Sequence, residues 1–127
     1  FFHGYTYSGH PLACAAGSAT LRVYEEEGLY ARGRELEPIL EDAIHSLKDE
    51  VGVLDIRNFG LAAAIDFSPH ADGPSHRAMK IFHHCFDHGL MVRYTGDTIA
   101  VGPPLTFTAT QIAEMVDILR DAIRAVG

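Results

Sequence analysis

The chain of 127 residues has no tryptophan, only two cysteines, only two lysines and no long uninterrupted apolar run. Each shortage excludes something. Ten Lys and Arg stand against 17 Asp and Glu, a formal net charge of −7 with a pI near 5.5. So acidic a chain offers no basic face to neutralise the phosphates of DNA or RNA, and a nucleic-acid partner is not expected. A membrane helix needs about 18 or more apolar residues in a row; none occurs, and no membrane partner is expected. The cysteines, Cys14 and Cys85, lack the CxxC spacing of zinc or redox sites. Both are expected to be buried thiols of a cytoplasmic protein. The lysines, Lys48 and Lys80, fall on the polar sides of expected helices. Neither has the apolar surroundings that would prepare an amine for Schiff-base chemistry. No Ser/His/Asp constellation with a supporting motif and no Gly-rich phosphate loop is present.

What remains is ordinary globular material, 47% apolar and 21% charged, enough for one domain with one core. The opening FFHGYTYSGHP has no initiator Met and begins on an aromatic pair, and the chain is expected to be the back part of something longer. Helix is expected from Pro11 to about Glu27, with proline at the first position, an alanine-rich interior and Gly28 as the stop. Its small residues Ala13, Ala15, Ala16, Gly17 and Ala19 would admit another backbone closely. A second helix is expected from Leu29 to about Lys48, on a stripe of Leu36, Leu40, Ala43 and Leu47 with Ile39 and Ile44 beside it. Pro38 inside it should bend or break it.

Strands are expected over residues 51–57 and 61–67, joined by Asn58-Phe59-Gly60. A surface loop follows over residues 68–75, then a helix to about His88 with Ala78, Ile81, Phe82, Cys85 and Phe86 inward and Gly89 ending it. Residues 90–94 and 98–102 read as a hairpin around Thr95-Gly96-Asp97, stopped by Pro103-Pro104. Thr108 and Gln111 have capping-box spacing for a last helix on Ile112, Met115, Val116, Leu119 and Ile123. The order predicts an α+β domain, a small antiparallel sheet with helices packed on one face.

Three places offer chemistry. Residues 4–11, GYTYSGHP, put the hydroxyls of Thr6 and Ser8 just before a helix start, where unsatisfied N–H groups and the dipole favour an anion. The same residues fit a plain cap by Ser8 or His10. Arg93 lies on a strand that sends Leu90, Val92 and Tyr94 to one side and Met91 and Arg93 to the other, so it can present a planar fork to a carboxylate. It fits a solvated edge arginine equally. His84 and His88 have helical metal spacing, with His83 and Cys85 adjacent, yet no third ligand stands in a recognisable pattern, and no metal is expected. Glu25, Glu26 and Glu27 read as a solvated run.

Three segments together resemble one family. HGYTYSGHPLACAAG (His3 to Gly17) closely resembles the stretch after the catalytic lysine of class III pyridoxal-phosphate (PLP)-dependent aminotransferases. DIRNFGLAAAIDF (Asp55 to Phe67) is similar to the family's strand pair, and HGLMVRYTGDTIAVGPPLTFT (His88 to Thr108) to its segment ending in PPL. The matches keep the family's order and cover nearly the whole chain.

The resemblance implies the C-terminal part of a fold-type I enzyme. Residues 1–10 would be the tail of the large cofactor-binding domain, and 11–127 the small C-terminal domain. The cofactor would be pyridoxal 5'-phosphate, and the full-length protein a homodimer or higher homo-oligomer. The position of Thr6 would reach the cofactor phosphate of the partner subunit, with Tyr5 beside it. The ornithine and 4-aminobutyrate type has an arginine at the position of Ala100. This chain instead has Arg93, which in the ω-amino acid or amine:pyruvate type binds the substrate carboxylate. That implies transfer of an amino group from an ω-amino acid or amine to pyruvate or another keto acid. The Schiff-base lysine lies upstream, so the chain alone carries no catalytic residue and is expected to be inactive. A non-catalytic binding or dimerisation module, and a decarboxylase or mutase of the same fold, are the other readings.

Overall fold

The computed structural model describes residues 2–127. Its elements are α1 (Pro11–Glu26), α2 (Leu29–His45), β1 (Val53–Phe59), β2 (Ala62–Phe67), α3 (His76–Asp87), β3 (Arg93–Thr95), β4 (Thr98–Val101) and α4 (Ala109–Val126). The four strands form one antiparallel sheet in the order β1-β2-β4-β3. Strand alternation divides its two faces cleanly. Ala63, Ile65, Phe67, Ile99 and Val101 turn to the buried side, where Leu36, Leu40 and Ile44 of α2, Ala78, Ile81 and Cys85 of α3, and Ile112, Met115, Val116, Leu119 and Ile123 of α4 meet them. This is the α+β layering the sequence predicts. The α4 stripe is buried throughout, and Thr108 with Gln111 forms the reciprocal capping box.

Pro38 does not break α2, which runs unbroken through it. A proline inside a helix costs about 3 kcal/mol. Leu36, Leu40 and Ile44 on either side are buried, and each contributes about 1.5–3 kcal/mol by leaving water, so packing outweighs the lost bond. The helix stops at His45, short of Lys48, and Leu47 reaches the core from the following turn.

Other expectations shift for local reasons. The first hairpin turns on Gly60-Leu61, since Phe59 pairs with Ala62 and Gly60 takes φ +57°. Asn58 serves elsewhere, its Oδ1 lying 3.0 Å from His45 Nε2. The strand carrying Arg93 begins only there, because the Leu90 N–H donates to the Cys85 carbonyl (2.8 Å) and closes the end of α3. Phe86, expected inside, is 56% exposed. Cys85 is buried as expected; Cys14 is exposed. Ile39 is also exposed.

The largest departure is α1. It buries no residue, and its small side chains from Ala13 to Ala19 are exposed. It stands outside the layer, joined to α2 through Gly28 in the left-handed region (φ +62°) and through an edge-on contact of Tyr24 with Tyr30 at 5.3 Å.

Candidate functional site

The turn before α1 carries Tyr5 and Thr6, both exposed. Ser8 Oγ accepts from the Tyr5 N–H (3.0 Å), and His10 Nδ1 accepts from the Ala13 N–H (3.4 Å) and caps the helix. Local hydrogen bonding thus occupies Ser8 and His10, as a plain cap would. Thr6 has no side-chain bond among the described residues and keeps its hydroxyl for another partner. The Tyr5 ring stands edge-on to His3 at 4.8 Å.

Arg93 occupies a different region, the edge strand β3, and no contact joins it to Tyr5 or Thr6. Its cross-strand partner is Ala100, whose neighbour on the other side is Ala64, which in turn pairs with Arg57. Directly paired residues share a face. Arg57, Ala64, Ala100 and Arg93 therefore form one row across the whole sheet, on the face away from the helices. Two alanines separate two guanidiniums.

The arginines differ in their surroundings. Arg57 Nη2 donates to Asp66 Oδ1 at 3.1 Å, and its Nη1 reaches both Asp66 and Asp55. Thr98 Oγ1 donates to the same Asp66 oxygen at 2.6 Å. The Arg57 guanidinium and then the Thr98 hydroxyl hold the Asp66 carboxyl below the usual aspartate range. Arg57 is thus neutralised in place. Arg93 is exposed and has no ion pair among the described residues, so it is the member of the row able to meet an incoming anion. Arg57, Phe59, Ala62, Ala64, Ala100 and Val101 line an open apolar hollow, and Arg93 is not among its lining residues.

The Arg57–Asp66 pair went unnoticed in the sequence. The signal was there: once Gly60 fixes the turn, counting by twos from Phe59 and Ala62 puts Arg57 opposite Ala64. The remaining candidates have local uses. His84 and His88 stack at 4.2 Å, with His88 Nδ1 2.7 Å from the His84 carbonyl oxygen. Lys80 pairs with Asp72 at 2.7 Å, and Lys48 is exposed after α2. Glu25, Glu26 and Glu27 are exposed.

The profile of the family described as aminotransferase class-III matches residues 2–123. The chain belongs to the class III aminotransferases. An omega-aminotransferase of Caulobacter vibrioides is 53% identical over 119 residues, 94% of this chain and 27% of its own length. A beta-alanine–pyruvate aminotransferase of Pseudomonas aeruginosa is 36% identical over the whole chain and 28% of its own length. Among solved structures, a thermostable omega transaminase from Pseudomonas jessenii superposes with a TM-score of 0.91 at 26% identity, covering 100% of this chain and 30% of its own. The chain thus spans little more than a quarter of the curated relatives it matches, and its fold is that of a portion of these transaminases.

Class III aminotransferases depend on PLP. The residues present in this aminotransferase chain fit one end of that group. Thr6 offers an uncommitted hydroxyl beside a helix N-terminus, which suits a phosphate. Neither lysine has the apolar, unpaired setting that covalent attachment needs. What the described residues offer such a group is thus a hydroxyl for its phosphate and no lysine prepared for the covalent bond.

Proposed function

We propose that the longer protein containing this chain transfers an amino group from an ω-amino acid or amine to pyruvate or another keto acid, with PLP as cofactor. The carrying observation is the uncommitted guanidinium of Arg93, opposite an alanine, on a sheet whose other cross-row arginine is already neutralised. The names of the Caulobacter vibrioides and Pseudomonas aeruginosa relatives support the same substrate class.

Residues 1–10 are the end of the large cofactor-binding domain and 11–127 the small C-terminal domain. That α1 buries no residue supports a body on that side, supplied by the rest of the chain or by a second subunit of a homodimer or higher homo-oligomer. Among the described residues, no helix is long and apolar enough to cross a membrane. The likeness to the Caulobacter vibrioides and Pseudomonas aeruginosa relatives, and not that absence, supports a place in the cytoplasm.

PLP supplies the electron sink for the transfer when bound. This chain does the holding. The Thr6 hydroxyl, with the Tyr5 side chain beside it, would bind the phosphate of the cofactor held by the partner subunit, and Arg93 would bind and orient the substrate carboxylate in its own subunit's pocket. Orientation of two reacting groups lowers the barrier without any covalent role for the residues that provide it.

The test is an assay with PLP, an amine or ω-amino acid donor and pyruvate. The full-length protein turns over; the isolated chain of 127 residues does not. Turnover by the isolated chain, or a full-length protein that decarboxylates its amino acid instead, overturns the reading.

A further inference from the structure

Arg93 stands on the shortest strand of the sheet, and at its edge. β3 has three residues, all exposed, and pairs with β4 alone, where β2 and β4 have two neighbours each. Exposed backbone bonded on one side only opens more readily than the interior of a sheet. A guanidinium that is to meet a carboxylate in a fixed place needs a firmer base than that ladder.

Two contacts with α3 supply it. Tyr94 pairs with the buried Ile99 and so faces the helices, where its ring lies 5.3 Å from that of Phe82. The other contact is at the turn. Thr95 pairs with Thr98, leaving Gly96 (φ +57°) and Asp97 as a two-residue turn. Asp97 holds in two directions. Its carbonyl accepts from the Phe67 N–H (2.9 Å) at the end of β2, and its Oδ1 accepts from the Ser75 N–H (2.7 Å) at the head of α3.

Ser75 shows how firmly that end is set. Among the described residues it is the one non-glycine with a positive φ, +66°, and as the N-cap of α3 its own side chain caps nothing. A residue with a side chain stays in that region where its surroundings over-determine it. The Asp97 carboxylate accepts the bond that the third helical residue takes in a capping box, and its charge is favoured at a helix N-terminus.

We propose that Asp97 is a positioning residue for substrate carboxylates: by fastening the β3–β4 turn to the head of α3, it fixes the edge strand from which Arg93 presents its guanidinium. Both residues belong to one hairpin of one chain, and so to one pocket. The inference rests on the carboxylate role given to Arg93 above and adds what holds that residue in place. A shift of about 1 Å in a binding group is enough to be felt in the kinetics.

The experiment uses the full-length protein and an amine donor that has no carboxylate. KM for pyruvate is compared with KM for an aldehyde acceptor in Asp97→Ala, Asp97→Asn, Arg93→Ala and the double variant Arg93→Ala/Asp97→Ala. Amide hydrogen exchange is followed over residues 90–101. Asp97→Ala is expected to raise KM for pyruvate about fivefold and to keep KM for the aldehyde within about twofold of the parent. Exchange over residues 90–101 quickens. Asp97→Asn, which keeps an oxygen for the Ser75 N–H, recovers most of the loss. The double variant matches Arg93→Ala in KM for pyruvate, since a residue acting through Arg93 has nothing left to position.

An Asp97→Ala protein that raises both KM values equally, or neither, while Arg93→Ala raises that for pyruvate, overturns the positioning role and leaves the carboxylate role of Arg93 standing. So does a double variant whose losses multiply, or unchanged exchange over residues 90–101. An Arg93→Ala protein with unchanged KM for pyruvate overturns the carboxylate role, and the positioning role with it. Where Asp97→Ala does not fold, Asp97→Asn decides. A rise of about twofold, confined to pyruvate and absent once Arg93 is replaced, is expected, and no rise overturns the proposal.

Discussion

Arg93 on β3 and Ala100 on β4 face each other directly across the edge of the sheet, on the side the helices leave open. Directly opposed residues stand about 5 Å apart at Cβ. A guanidinium issued from either position would sweep much of the same space. Both together would be like charges face to face, which is destabilising. The departure from the ornithine and 4-aminobutyrate type, in which the resemblance puts an arginine at the position of Ala100, thus acquires a physical sense. One sheet edge accommodates one guanidinium fork, and here β3 carries it.

Removing that fork should divide substrates by charge. In the full-length protein, Arg93→Ala is expected to raise KM for pyruvate and ω-amino acids about tenfold or more, since a charged hydrogen bond contributes about 1.5–3 kcal/mol. Simple amines without a carboxylate should keep their KM. Steady-state kinetics with a matched acid and amine donor pair checks this, and equal losses for both contradict the role.

Thr6 should act on cofactor retention and not on substrate choice. Thr6→Ala removes a hydroxyl that has no side-chain bond within the described residues, so the fold itself should not suffer. Loss of a bond to phosphate is expected to weaken PLP by about 1.5–3 kcal/mol. Dialysis followed by absorbance of the retained cofactor measures it. Undiminished retention would remove Thr6 from the phosphate site.

Most of the fold was legible because hydrophobic period and punctuation agreed. Leu36, Leu40 and Ile44, and the α4 series from Ile112 to Ile123, announce their helices, and Gly28 and Gly89 end theirs at positive φ. What escaped depended on partners remote in sequence. Asn58 reads as a turn residue until His45 claims it, and Phe86 reads as core until the end of α3 leaves it outside. Cys14 reads as buried because an unpaired cysteine is usually a core residue, yet it lies on α1, which buries no residue. Of the site, Arg93 and Thr6 were visible as residues, but the row that neutralises Arg57 and spares Arg93 needed the strand register.

Stability should be sensitive at Gly52. Arg77, only 8% exposed, donates from Nε to the Ser68 carbonyl (2.9 Å) and from Nη1 to the Gly127 carbonyl (2.6 Å), tying α3 to the end of β2 and to α4. A Cβ on Gly52 would meet Arg77 Nη1 at 2.7 Å, at a φ of +79° that side chains disfavour. Strain and displacement act together, and Gly52→Ala is expected to cost about 2 kcal/mol or more. A urea titration reads it. An unchanged midpoint would mean that the Arg77 tie contributes nothing.

Acid should weaken the domain through Glu50. Its carboxylate, 11% exposed, bonds Arg124 at 2.8 Å and Arg120 at 2.7 Å, and these partners, Arg124 foremost, hold it below the ordinary glutamate value of 4.5. A carboxyl with a lowered folded pKa contributes stability that is complete above its unfolded pKa and fades as pH falls through the folded one. The urea midpoint should therefore be flat near neutrality and decline below about pH 4.5. In Glu50→Gln the neutral-pH midpoint drops and the acid slope becomes shallower. Parallel curves for the two proteins would rule Glu50 out as a contributor.

The two thiols should report separately on the core and on α1. Only the thiolate attacks a disulfide reagent, and burial in the α3 core pushes the Cys85 thiol up to about 11. At pH 8 that leaves about one thiolate in a thousand, inside packing that a reagent cannot enter without opening. Cys14 lies exposed on α1. With the chain of 127 residues, one equivalent of thiol should react at once. The second should react only as denaturant unfolds the core, at a rate that quickens in Gly52→Ala. In the full-length protein, any body covering α1 slows the first equivalent and leaves the second unchanged. Immediate reaction of both in the folded chain would contradict the packing of α3 against α4.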